Sequence, residues 1–137
     1  RVLDRDVRDL VVAGFEAPVA FGTARVYRAR TMRDRRLLAE VRGQAAPVAA
    51  RQFSRAELLI VRIPVASAGE PQLTVRLMNG FGGVLRPLPT SPVPGSERTF
   101  QVELPLSSLA SAPYVLEFTA RTGAGSAVER LDFVVTP

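Results

Sequence analysis

The sequence predicts an all-β protein, an antiparallel sandwich of two sheets with one short helix. Two observations carry this prediction: apolar and polar residues alternate with a period of two in several segments, and glycine- or proline-containing turns separate those segments. A chain of 137 residues has the size of one domain and can bury roughly two-thirds of its extended-chain surface. No apolar run approaches the roughly 20 residues that cross a bilayer, so no membrane insertion is expected.

The first segment carries alternating charges. Its three aspartates could suggest calcium, but two arginines lie between them and the spacing of an EF-hand is absent. Residues 1–16 are therefore predicted to be an N-terminal arm or linker, and residues 17–137 a single sandwich domain. The charges in question belong to Asp4, Arg5, Asp6, Arg8 and Asp9.

A strand and a helix follow this arm. Residues 18–30 are predicted to form one strand whose inward side chains are Val19, Phe21 and Val26. Thr31 and Asp34 have the spacing of a capping box, with aspartate in the position that Glu or Gln usually holds. A short helix over about 32–40 is therefore expected. Its buried side would comprise Met32, Leu37 and Leu38.

The clearest alternation lies in the later strands. Segments 72–77, 99–104, 114–121 and 130–135 place an apolar side chain at every second position. Segment 57–65 is more uniformly apolar, and its predicted core face is Leu59, Val61 and Ile63, with Leu58, Ile60 and Arg62 opposite. A shift of one residue would expose each apolar set, which fixes the register. The core-facing residues of the four alternating strands are Leu73, Val75, Leu77, Phe100, Val102, Leu104, Tyr114, Leu116, Phe118, Ala120, Leu131, Phe133 and Val135.

Turn residues separate these strands. Asn79-Gly80 opens a glycine-rich turn, and residues 122–126 are predicted to form a hairpin loop. Residues 86–98 contain four prolines, which excludes a central strand and predicts a surface connection with little regular structure. These elements favour a Greek-key, immunoglobulin-like sandwich, with a small barrel as the alternative. Tyr114 stands where such folds have a tyrosine corner, and an ordinary core tyrosine is the other interpretation.

The residue types that most catalytic mechanisms need are absent. The chain has no histidine and no cysteine, and its 18 basic residues are all arginine. Ser-His-Asp and Cys-His sites, Ser-Lys dyads and thiolate metal sites are therefore excluded. Carboxylate pairs remain, but the alternation places these side chains on outward, solvated strand faces. We predict no enzyme activity, no cofactor and no catalytic or metal-binding residues; the outward carboxylates are Glu103, Glu117, Glu129 and Asp132.

The positive charge is concentrated in one region. The net charge is +5, and residues 25–55 hold nine arginines against Asp34 and Glu40. Such a patch is either a solvated, salt-bridged face or a contact surface for a protein or an anionic polymer. Nucleic acid is disfavoured as a partner, because only Tyr27 and Phe53 could stack on bases. The candidate contact patch consists of Arg25, Arg28, Arg30, Arg33, Arg35, Arg36 and Arg42.

A resemblance to a known family is carried by segments 18–23, 26–30, 47–55, 100–106 and 114–117, of which 47–55 is the most specific. They resemble the C-terminal immunoglobulin-like region of bacterial secreted von Willebrand factor A-related proteins. This resemblance implies an extracytoplasmic module that follows a separate von Willebrand A domain. The Asp-x-Ser-x-Ser metal motif of that domain is absent, and Ala112-Pro113 replaces the glycine expected before Tyr114.

Two functions remain open at this point. The first is a non-catalytic module of a secreted or envelope protein (periplasmic, cell-surface or secreted) that mediates protein contact or domain spacing. Its partners would be other domains of the same chain, another envelope protein, or a second copy of the chain. The second function is binding of an anionic glycan or nucleic acid through the arginine patch. The dependence of binding on ionic strength distinguishes these two functions, since polyanion binding weakens steeply as ionic strength rises.

Overall fold

The computed structural model describes residues 19–39, 47–96, 98–123 and 125–137. The predicted arm, residues 1–16, and Arg42 lie outside these ranges. Strands make up most of the described residues, which confirms the all-β prediction. The strands are β1 (Val19–Phe21), β2 (Arg25–Ala29), β3 (Gln52–Ser54), β4 (Leu58–Ser67), β5 (Gln72–Asn79), β6 (Val84–Leu88), β7 (Ser91–Pro92), β8 (Thr99–Pro105), β9 (Ala112–Thr122) and β10 (Gly125–Thr136). The α-helix α1 spans Met32–Ala39, and a 3-10 helix spans Leu106–Ser108.

The strands form two sheets. Sheet I has the order β1-β4-β8-β7, and β2 pairs with β4 on the same side as β1. Sheet II has the order β3-β10-β9-β5-β6. Neighbouring strands are antiparallel except β3 and β10, which are parallel. Among the described strands, β3 is one that sequence reasoning missed, because three residues are too few to show alternation.

The core lies between the two sheets. Leu59, Val61 and Ile63 face it from sheet I, and Leu77, Leu116, Phe118 and Phe133 face it from sheet II. Each of these side chains is at most 1% exposed. The predicted register is therefore confirmed, although Leu73 and Phe100 at the margin are only half-buried.

The predicted strand at 18–30 is two strands. The chain breaks between β1 and β2, where the Gly22 N–H donates to the Pro64 carbonyl oxygen at 2.9 Å. A Cβ atom at Gly22 would lie 3.1 Å from Pro64 Cγ, so β4 approaches this glycine closely. Both strands still pair with β4, and Val19 and Val26 are buried as predicted.

The proline-rich segment has more sheet structure than predicted. Residues 84–88 form β6 and residues 91–92 form β7, and each is the outermost strand of its sheet. Pro87 and Pro92 are tolerated there because an edge strand has one side without a hydrogen-bonding neighbour. The exclusion of a central strand was correct, whereas the expectation of little regular structure was wrong.

The capping box forms as predicted. The Asp34 N–H donates to Thr31 Oγ1 at 3.1 Å, and the Thr31 N–H donates to Asp34 Oδ2 at 3.2 Å. Leu38 is buried and Leu37 half-buried, but Met32 is 65% exposed, so its predicted burial was wrong. The helix reaches sheet I through its last turn, and its first residue does not contact that apolar cluster.

Tyr114 lies at the start of β9 and is buried. Its hydroxyl donates to the Ala110 carbonyl oxygen at 2.8 Å, four residues upstream. Its ring stacks on Phe133 with 5.7 Å between centroids. The hydroxyl thus fixes the connection that leads into β9.

Candidate functional site

Two arginines of the candidate patch converge on one carboxylate. Glu57, in the turn between β3 and β4, is 3% exposed. Its Oε2 accepts the Arg30 Nε–H at 2.5 Å and lies 3.4 Å from Arg28 Nη1. Its Oε1 accepts the Ser54 backbone N–H at 2.8 Å. Arg28 and Arg30 therefore belong to an ion-pair cluster with Glu57 and do not form a free cationic surface.

This cluster connects the two sheets. Arg28 occupies an inward position of β2, opposite Leu59. Its guanidinium lies 4.9 Å from the centre of the Phe53 ring, and its Nη2 donates to the Gln52 carbonyl oxygen at 3.1 Å. Gln52 and Phe53 belong to β3 in sheet II, so Arg28 links the edges of sheets I and II. We call Arg28, Arg30 and Glu57 the edge cluster.

The Glu57 carboxyl remains ionised in spite of its burial. Burial acts to raise its pKa, but the hydrogen bonds from Arg30 and the Ser54 amide and the two positive charges outweigh it. The net pKa lies below the ordinary value of the group. Glu57 was missed in the sequence because it lies two residues beyond the arginine-rich segment. Only the turn between β3 and β4 places its carboxylate beside Arg28 and Arg30.

Four other members of the patch lie on one outer face. Arg33, Arg35 and Arg36 are exposed on α1, which packs against the outward residues Tyr27, Leu58 and Ile60 of sheet I. Arg25 is exposed at the start of β2. We call the outward positions of sheet I together with α1 face I. The structure thus places four predicted residues on face I and pairs Arg28 and Arg30 with Glu57, while Arg42 lies outside the described residues.

The acidic neighbour on α1 is engaged in the helix cap. Asp34 Oδ2 accepts the backbone N–H of Arg30 at 2.9 Å as well as that of Thr31. The Arg30 amide is the largest cause that lowers the pKa of Asp34, against a smaller effect of burial. The Asp34 carboxylate therefore accepts hydrogen bonds from backbone N–H groups, and no ion pair joins it to Arg33, Arg35 or Arg36.

A pocket opens on face I beside Arg25. Arg25 and Arg62 are direct cross-strand neighbours on β2 and β4, and they border a cavity of about 290 Å³ with Tyr27. The rim is a turn in which the Ser96 N–H donates to the Val93 carbonyl oxygen at 3.1 Å. The remaining lining residues are Pro64, Pro94, Gly95 and Thr99.

Arg62 is held in place by three contacts. Its Nε donates to Gln101 Oε1 at 2.7 Å, and its Nη2 donates to the Leu38 carbonyl oxygen at the end of α1. Its guanidinium lies 5.2 Å from the centre of the Tyr27 ring. Sequence reasoning placed Arg62 on the correct face but not beside Arg25, because the pairing of β2 with β4 was not predicted.

The outward carboxylates differ from one another. Glu103 and Asp132 are exposed on outward faces as predicted. Glu129 is also exposed, but it lies opposite Phe118 and on the same side of β10 as Leu131, so its predicted outward orientation was wrong. Glu117 points outward from sheet II but is only 5% exposed, so its predicted solvation was wrong. Its register partners are Arg76 on β5 and Arg130 on β10, and both pair with its carboxylate. The hydrogen bond from Arg76 is the largest cause that lowers the pKa of Glu117, against the opposing effect of burial.

An apolar surface lies at the β5–β6 hairpin. Asn79 Oδ1 accepts the backbone N–H groups of Phe81 and Gly83, each at 2.9 Å, so the turn is fixed. Phe81 at its end is 100% exposed. Val84 and Leu85 follow on the edge strand β6 and are each 49% exposed. We call Phe81, Val84 and Leu85 the apolar tip.

The described residues contain no group of three His, Cys, Asp or Glu side chains placed to hold a metal ion. The three aspartates of the arm, Asp4, Asp6 and Asp9, lie outside those residues. In the part of the chain that the structure describes, no helix has the length and apolar character to span a membrane.

The comparisons with known proteins bear on the fold alone. No protein family and no curated protein matches the sequence. An engineered protein has a TM-score of 0.50 and 20% identity, with 93% of this chain and 23% of that protein covered. A DUF4426 family protein from Pseudomonas aeruginosa PAO1 has a TM-score of 0.47 and 11% identity over 89% of this chain and 94% of its own. A family 123 glycoside hydrolase from Clostridium perfringens has a TM-score of 0.40 and 9% identity over 88% and 27%, so the chain spans about a quarter of this enzyme.

Proposed function

We propose that the chain is a non-catalytic, immunoglobulin-like β-sandwich module that mediates protein contact in a secreted or envelope bacterial protein. The strand order supports an immunoglobulin-like Greek key. If β2 is strand A, then β4, β8 and β7 are B, E and D, and β5, β9 and β10 are C, F and G. The Tyr114–Ala110 hydrogen bond fits the tyrosine corner of such domains.

The single observation that carries protein contact is the apolar tip. A lone exposed apolar side chain is ordinary, but a fully exposed phenylalanine on a fixed turn is followed here by two half-exposed apolar residues on an edge strand. Val84 and Leu85 point to opposite faces of that strand, so exposed apolar groups surround the end of the hairpin, which supports an interaction surface. The Asn79 hydrogen bonds hold Phe81 outward, so little conformational freedom is lost when a partner covers it. Burial of Phe81 alone would contribute about 1.5–3 kcal/mol.

Location and context rest on the sequence resemblance. The von Willebrand factor A-related family places an immunoglobulin-like region outside the cytoplasm, after a separate domain. Other domains of the same chain or another envelope protein are therefore the proposed partners, and a second copy remains a further candidate. No enzyme activity is proposed, because the chain lacks histidine, cysteine and lysine.

The test is photo-crosslinking in cells that produce the protein. Benzoylphenylalanine in place of Phe81 should give a discrete adduct that survives high salt during capture, because apolar contact is little screened. The matched control carries the same residue in place of Arg121, which is exposed on sheet II. Mass spectrometry then identifies the partner. Absence of an adduct at position 81, or equal adducts at both positions, would refute protein contact through the apolar tip.

A further inference from the structure

We propose that the pocket between Arg25 and Arg62 binds the carboxylate of an acidic side chain on a partner protein. The pocket lies on face I, whereas the apolar tip belongs to the outer edge of sheet II. Its anion chemistry stands on its own observations, while the choice of a protein as the ligand rests on the proposed function.

Positive charge at the pocket is not balanced by any described residue that lines it. Two arginines directly opposite each other on antiparallel strands repel, and such a pair is destabilising unless an anion lies between them. No carboxylate of a described residue borders the pocket. Glu103, on the neighbouring strand β8, does not line the pocket and accepts a hydrogen bond from Gln101 Nε2 at 2.9 Å. A bound carboxylate would supply the missing charge.

The Arg62 guanidinium is preorganised for binding an anion. Arg62 is fixed through Nε, Nη2 and the face of its guanidinium, and its Nη1 makes no hydrogen bond to any described residue. Arg25 likewise makes no ion pair with a described residue, and it stands at the pocket mouth. One fixed and one adjustable guanidinium can hold the two oxygens of a carboxylate together.

The size and lining of the pocket suit a single acidic side chain. A cavity of about 290 Å³ holds roughly ten water molecules' worth of volume, which suits one side chain and not a folded ligand. Tyr27, Val93 and the prolines give the walls apolar surface that can cover the methylene stem of a glutamate. A sulfated glycan or nucleic acid would instead require a continuous row of cations along its backbone.

The Pro94-Gly95 turn keeps the pocket open. Gly95 has a φ of 80°, which is the third position of a type II turn, and proline precedes it as that turn prefers. The Val93 N–H donates to the Thr99 carbonyl oxygen at 2.9 Å and ties the turn to β8. The rim is therefore built before any ligand arrives.

The experiment is an NMR titration of the whole chain with a blocked tetraglutamate peptide, and with a tetraglutamine peptide as the neutral control. Tetraglutamate should shift the Arg62 Nε–H and Gly95 amide signals, and tetraglutamine should not. Arg25→Gln should weaken tetraglutamate binding about fivefold or more. The matched variant Arg121→Gln, an exposed arginine on the opposite sheet, should leave the dissociation constant within a factor of two.

Parallel titrations use inorganic phosphate, a heparin oligosaccharide and single-stranded DNA. Tighter binding of heparin or DNA that Arg25→Gln leaves unchanged would overturn the proposal, as would equal shifts from tetraglutamine. Peptide binding without a crosslink at Phe81 would refute the proposed contact at the apolar tip alone.

Discussion

The outward residues of the two sheets are covered in different ways. Face I is covered by α1, so Leu58 and Ile60 on its outward side are buried as a second, smaller core. Face II, the outward positions of sheet II, has no described helix over it. Its central glutamate, Glu117, is covered instead by the two arginines on the neighbouring strands.

The two faces also differ in how many of their arginines have an acidic partner. Face I carries five arginines against Asp34 and Glu103, and Asp34 is taken up by the helix cap. Face II carries three arginines against Glu117 and Asp132, and its central row is neutralised within the sheet. Arginine count alone therefore does not identify a binding surface. The informative quantity is how many guanidinium groups have a carboxylate within reach.

The largest expected effect concerns the cover of face I. Ile60→Ala should lower the free energy of unfolding by about 2–4 kcal/mol, because it opens a cavity under Leu38 and Tyr27. Thr119→Ala on face II should change it by no more than about 0.5 kcal/mol, since no helix packs there. Urea denaturation measures both. Similar losses at the two positions would remove the distinction between a covered and an uncovered face.

The next effect concerns the edge cluster. Glu57→Gln should lower the free energy of unfolding by about 1–3 kcal/mol, because it leaves Arg28 without its anion beside the core. The cost stays below that of a fully buried pair since Arg30 is 62% exposed and regains water. Glu103→Gln, at an exposed glutamate, is the control and should have almost no effect. A neutral result for Glu57→Gln would mean that the cluster does not join the sheets.

Acid should weaken the same cluster. The folded-state pKa of Glu57 lies below its unfolded value of about 4.3. Its contribution is therefore fully present above that pH and is lost as the pH falls through the lowered folded value. Thermal unfolding from pH 7 to pH 2 should show a smaller acid-induced loss in Glu57→Gln than in the native chain. Parallel curves for the two proteins would show that the group does not carry the linkage.

A smaller effect is expected at Glu117 on face II. Glu117→Gln should cost about 1 kcal/mol, because Arg76 and Arg130 are 45% and 62% exposed and water replaces much of the lost pairing. Its folded-state pKa is also lowered, so the contribution should again disappear on acidification. Denaturation at pH 7 and 0.5 M salt should reduce the difference further. A loss as large as that of Glu57→Gln would contradict the expectation that exposed arginine partners make the Glu117 ion pairs the weaker ones.

The sequence predicted what depends on local pattern. Alternation identified the core face of β4, because each side chain's direction follows from its own strand. The Thr31–Asp34 spacing identified the start of α1 for the same reason. Glu57 was missed and Glu117 was predicted wrongly because their partners come from other segments of the chain, and strand pairing is not visible in one segment. The division of the arginine patch likewise depends on where β2, β3 and α1 meet.

The smallest expected effect tests whether the helix arginines of face I are structurally free. Arg33 lies near the start of α1, where a positive charge opposes the helix dipole, and Arg36 lies in its last turn, where it is favourable. Arg33→Ala should therefore be neutral or slightly stabilising, and Arg36→Ala slightly destabilising, each within about 0.5 kcal/mol. In the double variant the two effects on the free energy of unfolding should nearly cancel, as measured by urea denaturation at low salt. A loss above about 1 kcal/mol for either residue would show that it supports the fold. Cancellation would mean that these two charges are available to a partner at no cost to stability, as the edge-cluster arginines are not.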